Sequence, residues 1–182
     1  MRARTALACI AAFACVGLTS ACSSIPKATA MRPQDASFPT QLPVGIVVKV
    51  SGGQDFSFRI SNGEFEQALR DSLFDSGLLP RIVEGDPEYR LDVVLGDGHG
   101  IEGRELIVLW SLSRADTQQT FWQKLITSRG RSHHFVGVTR QRRGLEYAAQ
   151  ENIRLGLEQL SGVDWTAVAG LTAEFGAEGA TR

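Results

Sequence analysis

Beyond residue 22 the chain has no cysteine: Cys9, Cys15 and Cys22 are its three. Within residues 23–182 that excludes a disulfide, a thiol nucleophile and a thiolate metal site. Long apolar runs are missing too. The longest, Ala6 to Leu18, has 13 residues. As a helix it would span about 20 Å, short of a ~30 Å hydrocarbon core. Charge of one sign is also scarce. The formal net charge is −1, and without Arg2 and Arg4 the 19 basic residues fall to 17 against 20 acidic ones. That balance gives no general pull toward nucleic acid. No Gly-x-Ser-x-Gly elbow, His-Glu-x-x-His helix or Walker loop occurs, so the motif-bearing hydrolases and nucleotide enzymes lose their sequence support.

The N-terminus is the most informative part of what is present. Arg2 and Arg4 precede the apolar run, and Ser20 and Ala21 are small residues before Cys22. Positive, apolar, small is the order of a signal peptide, and the length argues against a membrane-spanning helix. Leu18-Thr19-Ser20-Ala21-Cys22 resembles the lipobox of bacterial lipoproteins. The resemblance implies that residues 1–21 are removed and that Cys22 is lipidated as the first mature residue. Leu18 stands four residues before the cysteine, where the family usually has leucine three before. Secretory cleavage after Ala21 without lipidation, or an uncut anchor, are the alternatives. Ser23 and Ser24 follow in place of the inner-membrane retention Asp found in some bacteria, and that resemblance points to the outer membrane.

Residues 22–43 hold Pro26, Pro33, Pro39 and Pro43, four of the six prolines. They show no hydrophobic period and read as a lipid anchor with a flexible tether, roughly 25 Å long as a coil. Residues 44–175 read as one domain and 176–182 as a disordered tail. Val44 to Val50 is a β-branched run that predicts a buried strand. Phe56 to Ile60 suggests a strand or an ordered loop. Ser61-Asn62-Gly63-Glu64 has capping-box spacing, so a helix should run to about Ser76, with Phe65, Ala68, Leu69, Ser72 and Leu73 inward and Glu66, Arg70 and Asp71 opposite. Pro80 to Val83 suggests a short strand. Alternation over 89–95, 106–112 and 121–127 predicts an antiparallel meander whose middle strand, apolar on both faces, is central and buries Trp110. A polar loop, 129–143, should lead into a long helix, 144–160, burying Leu145, Ala148, Ala149, Asn152, Ile153, Gly156 and Leu160. A short helix within 163–175 would dock through Trp165, Val168 and Leu171. The expected fold is α+β, a two-layer sandwich of a mostly antiparallel sheet covered by two main helices.

Candidate chemistry is thin. Gly98-His99-Gly100-Ile101-Glu102-Gly103 matches G-x-G-x-x-G, but a strand rather than a helix should follow it, so hairpin turn chemistry is the better reading. Neighbours His133 and His134 point to opposite sides of an extended segment and make a poor chelating pair, and His99 with Asp97 would join one of them only if two loops converge. No metal site and no cofactor are expected. Glu84 and Asp86 lie in a turn-rich stretch without a visible partner. Charge is uneven: residues 84–105 carry seven acids against two arginines, whereas 129–143 carry Arg129, Arg131, Arg140, Arg142 and Arg143 and no acid. Those arginines read either as a solvated segment or as a docking surface for an acidic protein or a lipid headgroup. Phe135 alone among them gives no nucleic-acid stacking platform.

Tyr89-Arg90-Leu91-Asp92-Val93, Leu109-Trp110-Ser111-Leu112, Ala148-Ala149-Gln150-Glu151-Asn152 and Leu157-Glu158-Gln159-Leu160 resemble the auxiliary lipoproteins of ABC-type envelope transporters, a match over the second half without a diagnostic motif. It implies an α+β body in a lipid-anchored envelope protein, and with no catalytic motif present the leading expectation is a non-enzymatic one that assists or scaffolds a transport or assembly complex. The expected contacts are a membrane through the anchor and an envelope protein, with no nucleic acid. A lipid-anchored periplasmic hydrolase using carboxylates and a carrier of a small lipophilic ligand are the alternatives.

Overall fold

The computed structural model describes residues 25–39, 45–54, 59–79, 87–96, 105–130 and 137–165. Cys22, the three histidines, Arg131, the glycine-rich 98–103 segment, Glu84, Asp86, the 80–83 strand, Val168, Leu171 and the 176–182 tail lie outside them. The elements are α1 (Ala28–Met31), β1 (Ile46–Ser51), α2 (Asn62–Asp75), β2 (Tyr89–Gly96), β3 (Glu105–Arg114), β4 (Thr120–Arg129) and α3 (Gly137–Ser161). The four strands form one sheet in the order β1-β2-β3-β4. β1 and β2 are parallel, with α2 as their crossover, and the other pairs are antiparallel. This is the expected α+β sandwich.

Alternation places one face of β1, β2 and β3 in the core, to which β4 adds Ile126 and Ser128. Ile46, Val48 and Val50, then Tyr89, Leu91, Val93 and Leu95, then Leu106, Val108, Trp110 and Leu112 are buried beneath the helices. β3 is interior, as its two apolar faces predict, and Trp110 is fully buried. On the opposite face Val94, Leu109 and Leu125 stand in register across three strands, with Val94 40% and Leu125 67% exposed.

β1 is an edge strand rather than an interior one, and its exposed backbone is partly covered. Glu66 Oε2 accepts from Val50 N at 3.4 Å, and Arg70 Nη2 donates to Val48 O at 3.2 Å. Glu66 and Arg70 therefore occupy the sheet edge instead of facing water, a way to blunt unpaired strand groups.

α2 starts as the capping spacing predicts: Ser61 Oγ accepts from Glu64 N at 3.2 Å. The reciprocal half of the box goes elsewhere, because Glu64 Oε2 accepts from Ala28 N at 2.6 Å, at the first residue of α1.

That contact belongs to a correction. Residues 25–39, expected to belong to a flexible tether, are not a free one. Met31 is 0% exposed, and Pro26 and Ala28 are also buried. Lys27 pairs with Glu64 at 3.3 Å, Arg32 pairs with Asp71 and Asp75, Gln150 Nε2 donates to Arg32 O, and Phe38 N donates to Ser76 O. The strap follows α2 from its N-terminus to its C-terminus while touching α3. Three prolines, Pro26, Pro33 and Pro39, hide it in the sequence, and one helical turn is too short to show a period.

α3 also begins earlier than its apolar stripe. Residues 137–143 are helical rather than loop. Arg and Gln propagate a helix well but carry no inward signal. The stripe begins where the helix meets the sheet, at Leu145. Gly130 and Gly144 permit that meeting: a Cβ on Gly130 would overlap Gly144 O and lie 2.7 Å from Ala148 N. Farther along, Gly156 receives the Trp110 ring. Trp110 Nε1 donates to Asn152 Oδ1 at 3.0 Å, Asn152 Nδ2 donates to Ile126 O and Ser128 Oγ, and Ser128 Oγ donates to Ala148 O. This buried polar chain fixes the helix on β3 and β4, because breaking one member strands the next.

Candidate functional site

One end of the sandwich, here the upper end, gathers the finishes of β1, β2 and β4 and the start of β3. Both long helices start there. Gly53 N donates to Asn62 Oδ1 at the head of α2, and Gly130 meets Gly144 near the head of α3. Arg129 closes β4 at this end and pairs with Glu105 across the strands at 3.3 Å, its side chain 78% exposed. Arg140, Arg142 and Arg143 occupy the first turns of α3, where the helix dipole disfavours cations.

The arginines are not equivalent. Arg142 and Arg143 reach Glu146, at 3.6 and 3.4 Å, one turn on. Glu146 is a buried carboxylate, 3% exposed. Arg140 is exposed and has no ion pair among the described residues. The structure thus brings Arg129, Arg140, Arg142 and Arg143 to one end but gives three of them an internal partner, Glu105 for Arg129 and Glu146 for Arg142 and Arg143. Lys27 and Glu64 sit at the same end through the strap. Sequence reading missed both, and the only signal was the position of Glu64 in a capping box.

Other carboxylates are engaged. Asp116, on the turn between β3 and β4, accepts two bonds from Arg114, at 3.0 and 2.8 Å. The Arg114 bond holds its carboxyl below the usual range. Glu151 is likewise held low, chiefly by hydrogen bonding from Arg154, and Arg154 is raised in return. At the lower end Tyr89, Phe121 and Trp165 meet edge to face, with Tyr89 5.5 Å from each of the other two. Burial pushes the Tyr89 hydroxyl up. Trp165 thus docks on the sheet, as expected of the segment after the long helix.

Neither a protein-family model nor a curated protein matches the chain in sequence. Solved structures resemble it in three dimensions. A Caulobacter crescentus candidate lipoprotein is 17% identical, with a TM-score of 0.40 over 63% of this chain and 87% of that one. PelC of Paraburkholderia phytofirmans, a dodecamer, is 19% identical, with a TM-score of 0.45 over 69% and 92%. A Xanthomonas campestris protein assigned to the family model DUF330 is 13% identical, with a TM-score of 0.50 over 82% of this chain and 97% of that one. At that identity the last likeness concerns the fold alone, and it extends over nearly the whole of the Xanthomonas chain.

Proposed function

We propose that this is an exported envelope protein, lipidated at Cys22, whose folded body serves as a non-enzymatic accessory or scaffold for a membrane-bound complex. The observation that carries this reading is the strap. The residues just after the lipobox-like cysteine are clamped to both long helices by Lys27, Arg32, Gln150 and buried Met31. An acyl chain on Cys22 would then hold a rigid body at the membrane, as a scaffold requires.

Two observations weigh against the alternatives. A carboxylate general acid works best with a raised pKa. Among the described residues, the carboxyls whose titration is moved, Asp116 and Glu151, are moved down by arginine. A lipophilic carrier needs room between helix and sheet. Here the Trp110 ring fills the space over Gly156, so that an added Cβ would lie 2.6 Å from its Cε2.

Fractionation tests the reading. Wild-type protein should sediment with membranes and require detergent for release, and Cys22→Ser should appear in the soluble periplasm or remain unprocessed. Chemical cross-linking in intact envelopes should yield a discrete adduct with an envelope protein from wild type. A Cys22→Ser chain that matures and still sediments would contradict the anchor. Hydrolytic turnover by the purified protein would contradict the scaffold role.

A further inference from the structure

The reading above leaves open which side of the body meets the bilayer. Chain length answers it. Cys22 is five residues before Lys27. Fully extended, they reach at most about 18 Å. Lys27 is fixed at the head of α2 by Glu64, and Ala28 N is bound by the same carboxylate. The body is much longer than this reach: α3 alone has 25 residues, about 37 Å of helix. An anchor at Cys22 can therefore approach the upper end and cannot extend to the lower one, where Trp165 meets Tyr89.

The charges agree with that orientation. Arg129 and Arg140 project into water at the upper end, and Arg143 is about half exposed beside them. The acids described beside them are already held: Glu64 by Lys27 and Ala28 N, Glu105 by Arg129, Glu146 by Arg142 and Arg143. The lower end carries Asp75, Asp116 and Glu158, which Arg32, Arg114 and Arg154 hold in turn, together with Glu88 and Asp164. Among the described residues the upper end has more cations than acids and the lower end more acids than cations, so an anionic surface would favour the first over the second.

We propose that the upper end of the sandwich, with Lys27, Arg129, Arg140 and Arg143, rests on the bilayer surface and takes anionic phospholipid headgroups as its ligand. This rests on lipidation at Cys22. The strap makes the contact geometric, because a domain tied within a few residues cannot turn its other end to the membrane. Each basic side chain near an anionic surface contributes about 1 kcal/mol, or roughly fivefold in partition.

The test uses the mature lipidated protein, which has no free thiol once Cys22 is acylated. A fluorophore is attached at Thr29→Cys or Gln141→Cys at the upper end, or at Thr117→Cys or Gln159→Cys at the lower end. All four sites are exposed. Each protein is reconstituted into vesicles of phosphatidylcholine and phosphatidylglycerol containing a headgroup-nitroxide lipid. The upper labels should lose most of their emission and the lower labels almost none. Replacing phosphatidylglycerol by phosphatidylcholine should weaken quenching at Gln141→Cys several-fold. Equal quenching at both ends, or stronger quenching at Thr117→Cys and Gln159→Cys, would overturn the orientation while leaving the anchor intact. Quenching that ignores phosphatidylglycerol would overturn the headgroup assignment. Mass spectrometry of the same preparations separates the premise: a mature chain without acyl groups on Cys22 overturns the anchor and the orientation together.

Discussion

Replacing Gly156 by alanine should destabilise the protein, although alanine is the better helix former. Gly156 lies within α3, where Gly→Ala ordinarily stabilises by about 1 kcal/mol. Here the new methyl group would lie 2.6 Å from Trp110 Cε2 and closer to Cη2 and Cζ2. The ring is rigid, fully buried and tied through Nε1 to Asn152, so it cannot turn aside cheaply. Overpacking of this kind costs about 1–3 kcal/mol. A contact short by about an ångström belongs near the top of that range, and the expected net loss is about 1–2 kcal/mol after the propensity gain. The crowding atoms all belong to the six-membered half of the indole. Trp110→Phe shortens that side chain and removes the Nε1 donor, so it should itself cost about 1–3 kcal/mol by leaving Asn152 Oδ1 unpaired. In that background Gly156→Ala should become neutral or stabilising, giving a coupling of about 2 kcal/mol. Urea unfolding of the four Cys22→Ser proteins completes the cycle. Stabilisation by Gly156→Ala in the wild-type background, or additive single effects, would refute the seating of α3 on Trp110.

Further outcomes follow from the strap, the arginines and the ion pairs. Met31→Ala should cost about 2–5 kcal/mol in urea unfolding, as for other buried methionines, whereas a free tether would give a change under about 0.5 kcal/mol. Arg140→Gln should leave stability within about 0.5 kcal/mol. Arg142→Gln with Arg143→Gln should cost about 1–3 kcal/mol, because Glu146 stays buried without its cations, and equal melting of the two proteins would contradict that pairing. The carboxyl of Glu151 should titrate below about 4.3, the ordinary glutamate value, when followed by NMR. Its stabilisation is then fully present above that value and is lost as pH falls through the depressed folded-state pKa. At its exposure the effect is no more than about 1 kcal/mol, and Arg154→Gln should return the titration toward the ordinary value.

Much of the sandwich was legible because its signals are local. Ser61 with Glu64 marks a helix start, and alternation through Leu91, Trp110 and Ile126 marks strands with one buried face. Asn152 and Gly156 fell on the predicted inward stripe of α3. What escaped depends on contacts distant in sequence. Alternation cannot tell that β1 runs parallel at an edge, nor that Glu66 and Arg70 would take up its backbone. Arg140 to Arg143 form helix that overhangs the sheet, so no apolar period reports them. The strap is held by single residues, Met31, Lys27 and Arg32, whose partners lie more than thirty positions away. The upper end could not be read at all, since it exists only once β4, α2 and the strap are brought together.

The central claim is that Cys22 carries the lipid that ties this body to a membrane. Mass spectrometry of the N-terminal tryptic peptide, purified from the membrane fraction, tests it most directly. The account predicts a peptide that begins at Cys22, ends at Lys27 and bears a diacylglyceryl group on the cysteine sulfur. A peptide with a free Cys22 thiol in soluble protein, or one that still contains residues before Cys22, would contradict it.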